Sequence, residues 1–345
     1  MGKLLSIVVP VYNGASKFLM NTLEYLENQD YSPMELILVD DGSQDNSLSL
    51  MKNFACKSKH SVKVIHQENA GVCVARNRGF IASKGEYIAF FDGDDIFSPN
   101  CCSKLVEAMK RHQADMVFCG YDFADHEGKI FKKYTEKYRY PNGEFERGLD
   151  VLSEYLLGRV DLWGGAVLYR RSFLEQNNIS YTEGCHCAED NEVFVKSLAV
   201  AKKVAVVKES LVAWRKHASS TTSSSDIVKF YSNLHELTAY LRCRAFMKRV
   251  GKQNTKAYEL LTKLIIPSAY TNYLQKILVD KGEEYLKKLI ENRSFKEQLK
   301  ESCTGVLLHR RPDLFFKLFL AVSFPDLYVR LAIFRQISKA RSKKK

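Results

Sequence analysis

The sequence predicts an α/β fold: a doubly wound, mostly parallel sheet followed by an α-helical, basic C-terminal region. Three observations lead there. Short apolar, β-branched runs alternate with stretches of helical spacing through the first half of the chain, as in strands buried between two layers of helices. Acidic turns close the second and fourth of these runs, Asp40-Asp41 and Asp92/Asp94/Asp95, and ligands of such sheets sit at the carboxyl ends of strands. The charge is split. Residues 1–225 hold 27 Lys/Arg and 29 Asp/Glu, net −2, whereas residues 226–345 hold 25 and 11, net +14, together the +12 of the whole chain.

A chain of 345 residues with 46% hydrophobic residues can bury a large core, and the charge split sets the last third apart; the expected domains are 1–222 and a basic helical region over 223–345. No run of 18 apolar residues is present, so no membrane-spanning helix is expected. The opening residues lack a basic n-region and a small-residue cleavage site. The nine cysteines are odd in number and scattered, which argues for a reducing cytoplasm and against a disulfide framework. Cys185-His186-Cys187 has no second ligand pair to complete a zinc site and reads as a loop. The basic excess is confined to the last third and no RNA- or DNA-binding spacing is found, so no nucleic-acid partner is expected.

The elements follow in order. Leu4–Val11 is a buried strand ended by Asn13-Gly14, and Lys17–Asn28 is a helix with Phe18, Leu19, Leu23 and Leu26 at helical spacing. Glu35–Asp40 is the second strand, and Ser47 is placed to cap the next helix. Val62–His66, Tyr87–Phe91 and Met116–Gly120 read as strands, with Val72–Ala82 and Asn100–Arg111 as helices between and after them. Residues 122–148 turn polar and aromatic and suggest a hairpin or loop insertion. Beyond them, Leu149–Leu157, Arg171–Asn177 and Glu189–Ala201 read as helices, Gly164–Tyr169 and Lys203–Val207 as strands. Thr221–Ser225 reads as a flexible boundary, followed by Lys-rich helices over Ile227–Val250, Lys256–Val279 and Glu283–Gln298.

Two carboxylates one residue apart, Asp92 and Asp94, at a strand end with Gly93 between them, can converge on a hard divalent cation while the glycine admits phosphates. The alternative is a solvated turn, which Asp and Gly also favour. The first strand ends in Pro10-Val11-Tyr12-Asn13-Gly14, not the GxGxxG of a dinucleotide site. Asp41 can accept hydrogen bonds from a base or ribose, or cap a helix together with Ser43.

In their order and spacing, SIVVPVYNG, ELILVDDGSQDNS, HQENAGVCVARNRGF and GEYIAFFDGDD resemble family 2 glycosyltransferases, inverting enzymes with the GT-A nucleotide-sugar-binding fold. A weaker likeness in WGGAVLYRRSFL, AEDNEVF and WRKHASSTT extends it to about residue 222. The resemblance implies that Pro10 and Tyr12 line a nucleoside pocket, that Asp41 pairs with the base, usually uracil, beside Asp40, and that Asn69, Gly71 and Arg76 run under the ribose and diphosphate. Asp92 would hold the ribose or a metal-bound water, with Asp94 and His217 as ligands of Mn²⁺ or Mg²⁺. Asp190 would be the base that deprotonates an acceptor hydroxyl, and Glu189 and Trp163 would stand on the acceptor side. The implied activity is metal-dependent transfer of a sugar from a nucleotide (UDP) sugar to a glycan acceptor in cell-surface polysaccharide synthesis, the acceptor free or lipid-linked. The alternatives are transfer to a protein or teichoic-acid polymer, or a catalytically silent partner subunit.

Leu314–Ile337 is apolar and aromatic but broken by Lys317, Pro325-Asp326 and Arg330, and residues 330–345 add seven Lys/Arg and no acid. The combination fits peripheral attachment to an anionic membrane surface on the cytoplasmic side. The competing expectation is a helical cap or a homo-oligomer contact.

Overall fold

The computed structural model describes residues 2–14, 17–143, 145–216, 226–305 and 312–342. His217 and the Thr221–Ser225 boundary lie outside them. The chain divides into two compact units, Met1–Ser224 and Ser225–Lys345.

The first unit is built on one sheet. Its strands are β1 (Leu5–Val11), β2 (Met34–Asp41), β3 (Ser61–Gln67), β4 (Tyr87–Phe90), β5 (Ile96–Phe97), β6 (Met116–Ala124), β7 (Ile130–Lys132), β8 (Phe145–Glu146), β9 (Val167–Arg170) and β10 (Val204–Arg215). The order is β3-β2-β1-β4-β9-β6-β10-β5, with β7 beside β6 and β8 beside β10. β1 runs parallel to β2 and β4, β2 to β3, and β6 to β10. β9 enters antiparallel between β4 and β6, which splits the parallel sheet in two. The insertion at 122–148 supplies β7, a 3-10 turn at Tyr134–Glu136 and β8.

Burial explains the strands. All eight residues of β2 are buried, so its apolar side chains meet helices on both faces. The register pairs Val11 with Asp40 and Val8 with Phe90, which brings the carboxyl ends of β1, β2 and β4 to one edge. The helices are α1 (Lys17–Glu27), α2 (Ser47–Ala55), α3 (Val72–Ala82), α4 (Cys101–His112), α5 (Gly148–Leu156), α6 (Arg171–Gln176) and α7 (Glu189–Val200). α3 lies very close to the sheet, since a Cβ on Gly79 would meet Val8 Cγ1 at 2.3 Å.

Local details differ from expectation. Ser47 is the first residue of α2 rather than its cap; the carboxylate of Asp45 accepts from Ser47 N and Oγ, at 2.9 and 2.5 Å. The stretch from Gly164 opens with a 3-10 turn before β9 begins at Val167. β10 runs on to Arg215 because two irregularities in its pairing with β6 let the strand continue along it.

The second unit is helical: α8 (Asp226–Arg249), α9 (Lys256–Leu260), a π turn (Leu261–Ile265), α10 (Ile266–Glu291), α11 (Arg293–Gly305), α12 (Pro312–Ser323) and α13 (Pro325–Ser342). Gly282 interrupts α10 at φ 83°, a left-handed conformation that glycine adopts without a Cβ penalty. α10 packs against α8, α11, α12 and α13. Leu274, Leu286, Ile290, Leu299, Leu318 and Val329 are fully buried among these helices. The apolar stretch from Leu314 therefore forms a helical hairpin whose inner face belongs to this core. Among the described residues no helix is long and apolar enough to cross a membrane.

Candidate active site

The site grows from α3. Its buried face is Cys73, Ala75, Arg76 and Gly79, so an arginine occupies a position at which helical spacing places core residues. Arg76 is 2% exposed. Its guanidinium donates from Nη2 to Asp92 Oδ1 at 2.7 Å, and from Nη1 to Glu189 Oε1 and Asp190 Oδ1, each at 3.1 Å. Arg76 also lies 4.9 Å from the ring centroid of Tyr181. Burial opposes its charge, but Asp190, Asp92, Tyr181 and Glu189 around it hold its pKa well above the ordinary value. The guanidinium that the resemblance puts under the ribose and diphosphate is buried here and binds carboxylates of the chain itself.

Two further contacts of α3 place the acidic helix. Asn77 and Tyr181 exchange hydrogen bonds, Nδ2 to the Tyr181 carbonyl at 2.9 Å and Tyr181 N to Asn77 Oδ1 at 3.0 Å. Cys73 Sγ donates to the Cys185 carbonyl at 3.1 Å. Ala188 then adopts φ 61°, and α7 begins with Glu189 and Asp190 in its first turn. A helix N-terminus favours such acids. Gly164 approaches the same carboxylate, because a Cβ there would stand 3.1 Å from Asp190 Oδ2.

Burial raises the Asp190 carboxyl first, Arg76 opposes that, and Glu189 and Asp92 add to it, leaving the group pushed up to about 7. Burial also raises Asp92, against the pull of Arg76 and with the push of Asp94. A carboxylate with its pKa near neutrality can take a proton at physiological pH.

A second group forms around Asp41. Its Oδ1 accepts from Gln67 Nε2 at 2.7 Å and from Ala70 N at 2.9 Å, and its Oδ2 accepts from Gly71 N at 2.9 Å. Asn69 Nδ2 donates to the Asp41 carbonyl at 3.0 Å. The Asp41 carboxylate thus shapes the 69–71 loop directly. Gly42, at φ 75°, is needed there, since a Cβ would lie 2.6 Å from Asn69 N. Asn13 N donates to Ser43 Oγ at 2.9 Å, and Gln44 N donates to Asn13 Oδ1 at 2.8 Å, which ties the ends of β1 and β2. Ser43 therefore serves the β1 turn. Asp40 is not brought into this group. Adjacent strand residues face opposite ways, and its Oδ2 lies 2.7 Å from Nδ1 of His66 on β3.

Tyr12 is 55% exposed at the end of β1. A Cβ on Gly93 would lie 3.6 Å from the Pro10 carbonyl, so the acidic turn runs against the first strand's end. Asp95, which sequence reasoning grouped with the acids but gave no role, is fully buried. Its carboxylate accepts from Trp163 Nε1 at 2.5 Å and from Arg215 N at 3.2 Å. Burial and the neighbouring Asp94 and Asp92 raise its pKa well above the ordinary carboxylate range. Trp163 stacks on Trp214 with centroids 4.7 Å apart and stands 5.6 Å from Tyr121. Tyr181 also escaped the sequence reading, because no motif marks it; the DGDD run was the available signal for Asp95.

Among the described residues no group of three or more His, Cys, Asp or Glu side chains forms a ready-made metal cage. Magnesium-type sites use one or two carboxylates and complete the shell with water and substrate phosphate, and Asp94 with the second oxygen of Asp92 fits that donor set.

Known proteins of similar sequence and fold identify the class. The family model described as Glycosyl transferase family 2 matches residues 6–177. The putative glycosyltransferase EpsH of Bacillus subtilis is 32% identical over 269 residues, covering 76% of this chain and 75% of the relative. The uncharacterized glycosyltransferase EpsJ of the same organism is 32% identical over 227 residues, covering 64% of this chain and 63% of that protein's length. The chain belongs to glycosyltransferase family 2. Among solved structures, S. aureus TarS 1–349 in complex with UDP-GlcNAc superposes with a TM-score of 0.66 at 18% identity, covering 97% of this chain and 92% of that one. That likeness concerns the GT-A-type fold.

Proposed function

We propose that the chain moves a sugar from a UDP-sugar to a hydroxyl of a glycan acceptor, in a single displacement that inverts the anomeric centre. The observation that carries this reading is the Arg76-centred cluster, which joins Asp92 of the donor-side turn to Asp190 of α7. Asp190 takes the proton of the attacking hydroxyl, while Arg76 holds its carboxylate in place. Pro10, Tyr12, Asp41 and the Asn69–Gly71 loop line the nucleoside side, and Glu189 and Trp163 line the acceptor side. Asp94, with His217 as second ligand, would hold Mn²⁺ or Mg²⁺, whose charge supports the departing diphosphate. TarS bound to UDP-GlcNAc supports the choice of nucleotide, and EpsH and EpsJ support the activity class.

The acceptor is a growing cell-surface polysaccharide, free or carried on a lipid. Transfer to a protein or teichoic-acid polymer would use the same groups. A silent partner subunit has no need of an intact Asp190 beside Arg76. The basic second unit supports a peripheral position at the inner face of the membrane, on an anionic surface. A panel of nucleotide sugars, with and without Mn²⁺, scored for binding and for release of nucleoside diphosphate, tests the reading. Turnover of one UDP-sugar is the expected result; no binding of any member would overturn it.

A further inference from the structure

The second unit contains a cavity that sugar transfer does not use. It has a volume of about 580 Å³ and lies between α10, α12 and α13, lined by Leu278, Phe316, Leu320, Tyr328, Leu331 and Ala332. Ligand pockets are typically about 300–1,000 Å³ and mainly apolar. One turn of a helix with its side chains, about 10–12 Å across and 5.4 Å long, already fills about 500 Å³, so the cavity suits a thin chain rather than a peptide helix. Its surroundings are unusually apolar. Of the twelve large apolar side chains exposed among the described residues, five fall within 316–331: Phe316, Phe319, Phe324, Leu327 and Leu331. Surfaces of soluble monomers normally scatter such residues.

Charge selects the occupant. Both acids of the hairpin are in ion pairs, Asp313 with Lys317 at 3.6 Å and Asp326 with Lys287 at 3.0 Å. Arg330 of α13 is exposed. A second copy of the chain would bring another strongly basic unit to this face, whereas an anionic headgroup neutralises it.

We propose that this cavity binds one hydrocarbon chain of an anionic membrane phospholipid, whose phosphate meets Arg330 of α13. The proposal rests on the membrane-surface reading above but demands more than charge: a saturable slot for a single chain. Full-length protein is titrated with lysophosphatidylglycerol below its micellar concentration. In parallel it is sedimented with phosphatidylglycerol–phosphatidylcholine vesicles at low salt. Ala332→Phe narrows the slot, and Leu331→Asp places a charge at its exposed wall. Each variant is checked by thermal melting and by nucleotide-sugar hydrolysis, which should stay unchanged.

One lysolipid per chain is expected, with affinity falling about tenfold or more in either variant as methylenes are excluded. Glycerophosphoglycerol, which lacks the chain, should not compete. Vesicle sedimentation without saturable lysolipid binding would overturn the slot and leave the surface reading standing; failure of both would overturn both. Unchanged affinity in the folded variants would also overturn it, and if Ala332→Phe fails to fold, Leu331→Asp decides. A dimer in the parent chain that Leu331→Asp dissolves would assign the face to self-association and overturn the proposal.

Discussion

Replacing Asp190 by Asn should stop transfer while leaving the donor site intact, and the parent enzyme should show why in its pH profile. Burial, opposed by Arg76 and reinforced by Glu189 and Asp92, pushes this carboxyl from 3.8 up to about 7. Such a group is ionised in about a tenth of molecules at pH 6 and about nine tenths at pH 8, so kcat/KM should rise about tenfold across that interval. Removing the base should cost about 10²–10⁴ in kcat at pH 8. Donor affinity by calorimetry should change little, because Asn Oδ1 can still accept from Arg76. Stability moves the other way. Between about pH 4 and pH 7 the folded chain keeps a proton on Asp190 that the unfolded chain has lost, so this group's contribution to stability falls as pH rises. Asp190→Asn removes that cost and should melt no lower than the parent at pH 8. The assay is release of nucleoside diphosphate at saturating acceptor. A flat profile from pH 6 to 8, or loss of donor binding with turnover retained, would refute the base assignment.

Asp94→Ala should lower the rate about 100-fold or more and abolish the response to added Mn²⁺; full activity of the parent enzyme in EDTA would contradict it. Gly42→Ala puts a Cβ at φ 75° and 2.6 Å from Asn69 N. At about 1–3 kcal/mol, this should lower the melting temperature by roughly 3–10 °C and weaken donor binding, read by calorimetry and calorimetric melting. Trp163→Phe removes the indole N–H from the buried Asp95 carboxylate. The loss of about 1.5–3 kcal/mol should appear as a comparable drop in melting temperature, and an unchanged melt would contradict the role given to that bond.

The donor half was legible in the sequence because each of its elements has a local cause. β1 and β2 are continuous apolar runs, and α3 has its predicted bounds, Val72–Ala82. The antiparallel entry of β9 was not legible: a four-residue strand carries the same pattern in either direction. Asp190 and Asp92 could be read from motif order, but their shared partner could not. A single arginine on a helix looks solvated until tertiary packing buries it, and here the packing is supplied by residues more than 100 positions away. Asp40 was misplaced because neighbouring carboxylates in sequence were taken together, although a strand sends them to opposite faces.

The three carboxylates on one guanidinium also set how short a working chain can be. The stretch 6–177 suffices to mark the family and contains Arg76 and Asp92, yet neither Glu189 nor Asp190. A fragment cut there would also lose β10, the parallel partner of β6, and with it the Arg215 N–H that closes on Asp95. Grafts, fusions or split versions of this transferase therefore have to carry the chain through at least Arg215. A chimera joined at the edge of the family match would inherit Asp92 and its turn from one parent and Glu189 and Asp190 from the other, meeting across an arginine that neither parent had shaped for both.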